Sequence, residues 1–392
     1  MPTLDRRRLL GATAAAGSVF LSSMKAHAKF SGDVQLRGQI GRYERLPTRD
    51  LESLEDFRTS LRSFINTDFQ RAANRRAVEI FREAGLDPRE EVSMEEAISI
   101  LEADPIIMNQ THAWITNQLA MWRDTQDYFH SQADLYLSEM AAADNAGPGS
   151  LELNPGMHIP EYTAWEIHNQ PGGYVGDPFA GHMYHHGTNN LWIHLNEQDG
   201  MHQSIAESAP VPDDGRVKRC LDMGCAIGQS AMGLKERFPD AEVWGVDIGA
   251  PMVRYAHMRA ADLGIDVNFA QRLAEDTKFP DDHFDIVTAF ILFHEVTIEG
   301  AVDIIREAHR VLRPGGKFLA VDGSFLVKQP VKTAAHRWRT WWTDQWNSEV
   351  WYMPYDEYDF PKAFRAAGFN VGSTPGPMYS GGQEYIMGIK PT

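Results

Sequence analysis

Residues 220–230, CLDMGCAIGQS, combine an acidic residue with two glycines in a turn that could hold a nucleotide-like ligand. Asp222 ends an apolar run, and Gly224 and Gly228 follow it four residues apart. A dinucleotide-binding turn requires GxGxxG, and here alanine and glutamine replace its second and third glycines; the lysine of a phosphate-binding P-loop is also absent. The turn therefore argues against NAD, FAD and nucleoside triphosphates.

A second group of chemically active residues lies between residues 159 and 202, where the sequence shows neither a strand period nor a helix period. Its central histidines have the spacing i, i+3, i+4, and two more follow: His182, His185, His186, His194 and His202. A metal site is conceivable there, but no cysteine joins the group and the surrounding glycines argue against a rigid helix. We therefore assign no metal ligand, and roles in a substrate pocket, as a base or as structural histidines stay open. The candidate acceptor-side residues are Tyr174, Tyr184 and His186.

Short apolar strands alternate with helices from residue 218 onward. The predicted strands are VKRCLDMG, EVWGVDIG, DVNFAQ, FDIVTAFILF and KFLAVDGSF. This alternation predicts a parallel sheet with right-handed crossovers, whose ligands lie beyond the carboxyl ends of the central strands. Asp222, Asp247 and His294 should converge there.

The chain before this unit has a helical pattern from Asp50 to about Ala143. Ser93 and Glu96 form a capping box, so a helix should begin there. A longer helix after Pro105 repeats apolar residues every seven positions, which is typical of a buried core or a dimer seam and carries no catalytic role. We expect a homodimer through this helical part as one outcome. A turn-rich stretch at residues 145–156 ends it.

Composition narrows the classes of function. The 392 residues exceed one ordinary domain, so we expect two. The 43% of hydrophobic residues and 23% of charged residues are typical of a folded chain. A formal net charge of -17 argues against nucleic acid as a partner. The two cysteines provide neither a disulfide framework nor a CxxC metal pattern.

The first 28 residues are similar to a twin-arginine export signal. Three arginines, Arg6 to Arg8, precede a weakly apolar stretch that is followed by Ala26, His27 and Ala28. We expect cleavage after Ala28 and a periplasmic protein; an amphipathic first helix, with a cytoplasmic or membrane-associated enzyme, is the alternative. The apolar stretch is shorter than the roughly 20 residues of a membrane span.

Four segments resemble class I S-adenosylmethionine (SAM)-dependent methyltransferases, namely LDMGCAIGQS, VWGVDIG, LAEDTKFPDDHFDIV and VLRPGGKFLAVD. The resemblance runs from about Val217 to the end of the chain. It implies an α/β fold with a Rossmann-like, mostly parallel seven-stranded sheet in residues 206–392, preceded by a mainly helical domain in residues 29–205. It also implies SAM as the cofactor.

The same resemblance assigns cofactor contacts to Asp222, Gly224, Cys225, Gly228, Asp247, Ile248, Ala274 and Glu275. Asp222 would hold the methionine ammonium, and Asp247 would accept hydrogen bonds from the ribose hydroxyls. The acid that contacts adenine in the family aligns with Leu273. Glu275 or Asp276 would substitute for it.

Methyl transfer needs an acceptor aligned with the methyl group, and a general base if a proton must leave. His294 follows the fourth strand, where the family exposes acceptor-side residues, and Glu295 is beside it; the catalytic candidates are His294, His186 and Tyr184. The stretch HRWRTWWTDQWNSEVWYMPYDEYDF holds five tryptophans, at a place where an insertion commonly covers the active site. Such a wall suits an aromatic or lipid-like small molecule, although packing against the helical domain also explains the tryptophans.

The function that these features favour is methyl transfer from SAM to oxygen or carbon of a small-molecule acceptor. Two alternatives remain: a nucleotide-dependent oxidoreductase, against which the incomplete glycine pattern argues, and an exported protein that binds a SAM-like ligand without turnover.

Overall fold

The computed structural model describes residues 39–40, 42–44, 49–189, 196, 198–323, 331–371 and 384–392. The predicted export signal and His194 lie outside these residues. Within the described part of the chain, no helix is long and apolar enough to cross a membrane.

The first half of the described chain is mainly helical; its pattern predicts helices up to about residue 143, and two more follow beyond that point. Its helices are α1 (Arg49–Phe64), α2 (Gln70–Glu83), α3 (Met94–Leu101), α4 (Pro105–Ser131), α5 (Ala133–Ala143), α6 (Ala180–Gly187) and α7 (Gly200–Ser208). The predicted cap is present, since the Ser93 hydroxyl accepts a hydrogen bond from the Glu96 amide at 3.1 Å. Asp104 starts α4 in the same way by accepting from the amides of Ile106 and Ile107.

The seven-residue stripe on α4 is buried within the chain itself. Ile115, Trp122 and Phe129 lie in the core, and Tyr136 continues the stripe on α5 after a break at Gln132. The stripe therefore serves as core, and the homodimer through the helical part stays a prediction.

The strands form two sheets. A small antiparallel pair joins β1 (Gln39–Ile40) to β2 (Tyr43–Glu44). The main sheet contains β3 (Leu151–Glu152), β4 (Arg219–Met223), β5 (Glu242–Asp247), β6 (Asn268–Gln271), β7 (Phe284–Phe290), β8 (Leu312–Asp322), β9 (Asn370–Val371) and β10 (Glu384–Ile389). Their order is β3-β6-β5-β4-β7-β8-β10-β9.

The predicted mostly parallel sheet is confirmed, with one addition. Seven strands come from the predicted methyltransferase part, and only β10 runs antiparallel, pairing with β8 on one side and with β9 on the other. The eighth strand, β3, is two residues long and pairs in parallel with Phe269 and Ala270 at the edge. It comes from the part of the chain predicted as helical, because two residues carry no alternating pattern that a sequence could reveal.

Four helices pack against the sheet: α8 (Gln229–Arg237), α9 (Ala250–Leu263), α10 (Ile298–Val311) and α13 (Phe360–Ala366). Two more, α11 (Ala334–Trp346) and α12 (Tyr352–Glu357), precede α13 in the chain. Helix α11 also packs against α3, where Ala334 and Trp338 share a core with the helical part. Elements from both sides of the predicted boundary at residue 205 thus share cores, and the boundary itself stays a prediction.

The strand order reverses at β4, which lies between β5 and β7. Both neighbours run parallel to it. The carboxyl ends of these three strands therefore meet at the switch point, where ligands bind in open α/β sheets.

Candidate active site

The glycine turn between β4 and α8 has left-handed backbone at three positions, with φ of 66° at Gly224, 46° at Ala226 and 76° at Gly228. A Cβ atom at Gly228 would lie 2.5 Å from Cζ of Phe269, so this position requires glycine for space as well as for conformation. The turn is fixed to the neighbouring strand by the Cys225 amide, which donates to the Val246 carbonyl at 2.9 Å.

Asp247 ends β5 and faces this turn. Its carboxylate accepts hydrogen bonds from the Ala226 amide at 2.9 Å and from the Gly249 amide at 2.8 Å, one on each oxygen. The first bond aligns Ala226 in its left-handed conformation. Burial raises the pKa of Asp247, while the backbone hydrogen bonds oppose that shift. Each carboxylate oxygen can accept a further bond, so two hydroxyl donors could still bind.

These residues open onto one cavity of about 1190 Å³. Its wall includes five of the eight residues predicted to contact the cofactor: Gly224, Asp247, Ile248, Ala274 and Glu275. The volume exceeds the roughly 300–1,000 Å³ of a pocket for one drug-sized ligand. The cavity therefore has room for a cofactor of the size of SAM and for a second small molecule.

The other three predicted cofactor residues are buried and are not on the cavity wall. Asp222 accepts a hydrogen bond from the Thr288 hydroxyl at 2.7 Å. Burial raises the pKa of Asp222 to about 7. Cys225 and Gly228 belong to the turn itself, and both are buried. Direct contact of these three with the cofactor stays a prediction.

The segment predicted to hold adenine lies at the same end of the cavity. Glu275 accepts a hydrogen bond from the Tyr162 hydroxyl, and burial raises the pKa of the Glu275 carboxyl. Asp276 is exposed and pairs with Lys278. Of the two acids proposed to substitute at Leu273, Glu275 is thus the one that lines the cavity.

A row of buried and nearly buried ionisable side chains lies at the cavity, whose wall includes four of them: His168, His294, Glu295 and Glu349. His294 follows β7 in a short turn; its Nδ1 hydrogen-bonds Asp322, and its Nε2 lies 3.4 Å from Oε1 of Glu295. Nε2 of His168 lies 3.0 Å from the same Glu295 oxygen. Nδ1 of His168 lies 3.0 Å from Oε1 of Glu349. Three carboxylates and two imidazoles therefore alternate.

The charged groups in this row strongly shift one another's pKa values. Burial alone would lower the pKa of His168, but Glu349 and Glu295 outweigh it and raise that pKa to about 9. Burial is likewise outweighed at His294, whose pKa is raised well above its usual value by Asp322 and Glu295. Burial would raise the pKa of Glu295, yet the two histidines lower it to about 2. A doubly protonated His294 has no free lone pair, so in that state it cannot accept a proton.

One atom of this group has no hydrogen-bond partner among the described residues. It is Oε2 of Glu295, which is buried. Tyr174 donates a hydrogen bond to the other oxygen of Glu295 at 3.4 Å, and its ring contacts that of Tyr184 at the cavity wall. The predicted acceptor-side residues Tyr174 and Tyr184 therefore line the same cavity as His294.

His186 lies elsewhere. The glycines around it do not prevent a helix, contrary to the expectation from the sequence: residues 180–187 form α6, because Gly181 packs directly against Tyr255. His186 is buried against Phe129, and its Nδ1 is 3.6 Å from Glu55. His185 Nδ1 hydrogen-bonds the Tyr255 hydroxyl at 2.8 Å. The structure thus places His186 in the packed core and not on the cavity wall.

The tryptophan-rich insertion both lines the cavity and packs on the helical part, as the two interpretations of its sequence allow. Trp338 and Trp342 lie on the cavity wall, and Trp342 meets Trp114 of α4 at a ring distance of 5.1 Å. Arg62 of α1, also on the wall, lies 3.4 Å above the Trp114 ring. The predicted apolar wall therefore contains one buried cation.

Sequence reasoning missed four residues of this site: Arg62, His168, Asp322 and Glu349. Asp322 had a usable signal, because it ends a predicted strand of the central sheet. The others lie in helical or irregular segments whose residue types alone do not single them out.

A known protein family matches the segment that contains the glycine turn and the central strands of the sheet. Residues 220–316 match the family described as "Methyltransferase domain". This segment is a methyltransferase domain. The predicted SAM-dependent methyltransferase domain is thereby confirmed, with SAM as its cofactor.

Individual relatives of the methyltransferase domain cover only part of the chain. Demethylmenaquinone methyltransferase of Thermus thermophilus is 40% identical over 106 residues, which cover 27% of this chain and 47% of that protein. Fatty-acid O-methyltransferase of Mycolicibacterium smegmatis is 31% identical over 154 residues, covering 38% and 50%. The chain therefore spans about half the length of these relatives.

Among solved structures, phosphoethanolamine N-methyltransferase 2 of Haemonchus contortus in complex with SAM is similar with a TM-score of 0.40 and 15% identity, over 55% of this chain and 58% of that chain.

Proposed function

We propose that the protein transfers a methyl group from SAM to oxygen or carbon of a small-molecule acceptor. One observation carries the proposal: the turn residues of the methyltransferase domain and the buried histidine and carboxylate groups line the same cavity. A cofactor on Gly224 and Asp247 would therefore share an enclosed space with an acceptor beside Glu295. Holding two reactants in line is the main requirement of this reaction.

Different residues of the chain would bind the cofactor, exclude water and orient the acceptor. Asp247 and Glu275 bind the cofactor through its ribose and adenine, and SAM supplies the electrophilic methyl group. Trp338 and Trp342 exclude water from the acceptor. Oε2 of Glu295 has an open lone pair and can accept a hydrogen bond from the acceptor's hydroxyl, which orients that oxygen toward the methyl group. We retain His294 and Tyr184 as residues that position the acceptor beside it.

The relatives support a small-molecule acceptor. By name, one methylates demethylmenaquinone and another the oxygen of fatty acids. An aromatic or lipid-like acceptor also suits the tryptophan wall of this cavity. A nucleic acid acceptor would favour a basic protein surface. The net charge of -17 argues against such an acceptor.

The direct test measures formation of S-adenosylhomocysteine (SAH) with a panel of phenols, quinols and fatty acids. Glu295→Gln removes the carboxylate with little change in volume, and we expect the rate to fall about 10–100-fold, since a hydrogen bond to a charged group contributes about 1.5–3 kcal/mol. SAH affinity should change less than about threefold. Glu357→Gln is the matched control, because Glu357 forms an exposed pair with Arg337.

Two results would count against the proposal. SAH binding without turnover on any acceptor would favour a binding protein. Absence of SAH binding, together with a spectral response to nicotinamide nucleotides, would favour an oxidoreductase.

We further propose that residues 1–28 direct export to the periplasm. Cell fractionation and sequencing of the mature amino terminus test this: a periplasmic form that begins after Ala28 is expected. An unprocessed cytoplasmic protein would contradict it and would agree with the cytoplasmic supply of SAM.

A further inference from the structure

We propose that His168, His294 and Glu295 bind one divalent transition-metal ion, and that this ion takes an oxygen of the acceptor. Among the described residues, these three form a group whose potential ligand atoms all lie within 4.8 Å of one another. Two imidazoles and one carboxylate favour zinc, iron, manganese or cobalt over magnesium or calcium, which prefer oxygen ligands. The acceptor part of the inference rests on the proposed methyl transfer; the metal site itself does not.

The distances fit coordination to a single ion. Metal–nitrogen and metal–oxygen bonds of about 2.1 Å separate two ligand atoms by about 3.0 Å at a right angle and about 3.4 Å at a tetrahedral angle. Nε2 of His168 lies 3.0 Å from Oε1 of Glu295, and Nε2 of His294 lies 3.4 Å from the same oxygen. The two rings are tilted by 66° and face this oxygen from different sides.

The outer partners of both histidines point to the same arrangement. Nδ1 of His168 lies against Glu349, and Nδ1 of His294 lies against Asp322, so each imidazole directs Nε2 at Glu295. Histidines that bind metals almost always donate their second ring N–H to such a partner, which fixes ring orientation and raises ligand basicity. Here both histidines have that carboxylate partner.

The charge of the cluster suits a divalent cation. Three carboxylates, Asp322, Glu295 and Glu349, are buried or nearly so around the two imidazoles. One divalent ion between Nε2 of His168, Nε2 of His294 and Glu295 would supply two positive charges where these atoms converge, with both imidazoles neutral as metal ligands are.

His168 is held in place at the expense of an unfavourable backbone conformation. Its φ is 56°, which is uncommon for a residue with a Cβ atom. Two donors from α4 fix it, because the Gln118 amide and the Trp122 indole both donate to its carbonyl, at 2.7 and 2.8 Å. Strain that surrounding groups maintain in this way is concentrated at functional sites. The long helix therefore orients a ligand of the proposed ion.

The three ligands leave other coordination positions for a ligand from the cavity, since His168, His294 and Glu295 all line it. An acceptor with a hydroxyl, or with two adjacent oxygens such as a catechol, could coordinate there. Coordination makes that hydroxyl more acidic. Its proton leaves to solvent, its oxygen forms the bond to the methyl carbon, and the electron pair of the broken carbon–sulfur bond stays on sulfur.

The test measures metal binding by the full-length protein after treatment with a chelator. Zn²⁺ and Co²⁺ are added back; we expect one ion per chain by elemental analysis, and visible Co²⁺ absorption bands that change when a catechol is added. His168→Asn removes the ligand but tolerates the left-handed backbone, and it should abolish stoichiometric binding. Glu349→Gln should weaken binding about 10–100-fold. His130→Gln is the control, because His130 pairs with Asp177 at a half-exposed position.

The outcomes separate this inference from the proposed methyl transfer. Stoichiometric binding that is lost in His168→Asn and kept in His130→Gln supports the site. Failure of the wild type to bind either ion while it still binds SAH overturns the metal site alone. If His168→Asn binds the metal as the wild type does, the proposed site is also overturned, and His182 and His185 are the next candidate ligands. Metal binding without SAH binding contradicts the methyltransferase proposal and leaves the metal site intact.

Discussion

Replacing Asp247 by asparagine tests the cofactor end of the cavity, because the structure gives this side chain two separate tasks. Its oxygens accept hydrogen bonds from the Ala226 and Gly249 amides, at 2.9 and 2.8 Å. The remaining lone pairs are the ones proposed for the ribose hydroxyls. In Asp247→Asn, the side-chain NH₂ must face one of the two backbone N–H groups, and it can accept no hydrogen bond there.

The magnitude follows from these contacts. A hydrogen bond to a charged group contributes about 1.5–3 kcal/mol, and about 1.4 kcal/mol corresponds to a tenfold change in affinity. Loss of one ribose bond to Asp247 should therefore weaken SAH binding about 10–100-fold. The amide left without an acceptor costs about 1–3 kcal/mol of folding stability.

Isothermal titration with SAH and chemical denaturation measure the two effects. Asp266→Asn is the matched control, because Asp266 is half-exposed and lies 3.7 Å from Lys235, a surface pair that contributes about 0–1 kcal/mol. Its SAH affinity should equal that of the wild type. If folded Asp247→Asn binds SAH within twofold of the wild type, the assignment of the ribose to Asp247 is refuted.

Three further substitutions test the surroundings of the site. Gly228→Ala should destabilise the protein by about 2–4 kcal/mol in chemical denaturation, from its left-handed backbone and the contact with Phe269; a loss below about 1 kcal/mol would contradict the description of the turn. Trp338→Ala, in a core, should cost about 3–5 kcal/mol, whereas Trp165→Ala, at a position 51% exposed, should cost far less; equal losses would mean that Trp338 does not join α11 to the helical part. Asp222 has a pKa raised to about 7, so its contribution to stability is complete below about pH 4 and is lost as the pH rises to 7. Between pH 5 and pH 8, the melting temperature of Asp222→Asn should therefore fall less than that of the wild type. An equal decrease in both proteins would contradict the raised pKa of Asp222.

Local signals predicted the parts of the fold that depend on local chemistry. The predicted cap at Ser93 begins a helix because its side-chain oxygen satisfies a first-turn amide, a relation within three residues. The parallel strands were predictable because buried strands read as apolar runs between helices. Asp247 was found because it ends such a strand next to the glycine turn.

The missed features depend on contacts between distant segments. His168 lies in an irregular stretch, and its role becomes visible only when Glu295 and Glu349 meet it across the cavity. The helix that contains His186 forms despite its glycines, because tertiary packing against Tyr255 outweighs their weak intrinsic helix preference. A single sequence provides residue types but does not show which distant segments are in contact.

In the proposed enzyme, one cavity holds the cofactor and the acceptor side by side. A crystal structure of the protein with SAH is the decisive measurement. We expect the ribose within hydrogen-bond distance of Asp247, the adenine beside Glu275, and the sulfur directed toward Glu295 and His294. SAH bound outside this cavity, or with its sulfur directed away from Glu295, would contradict it.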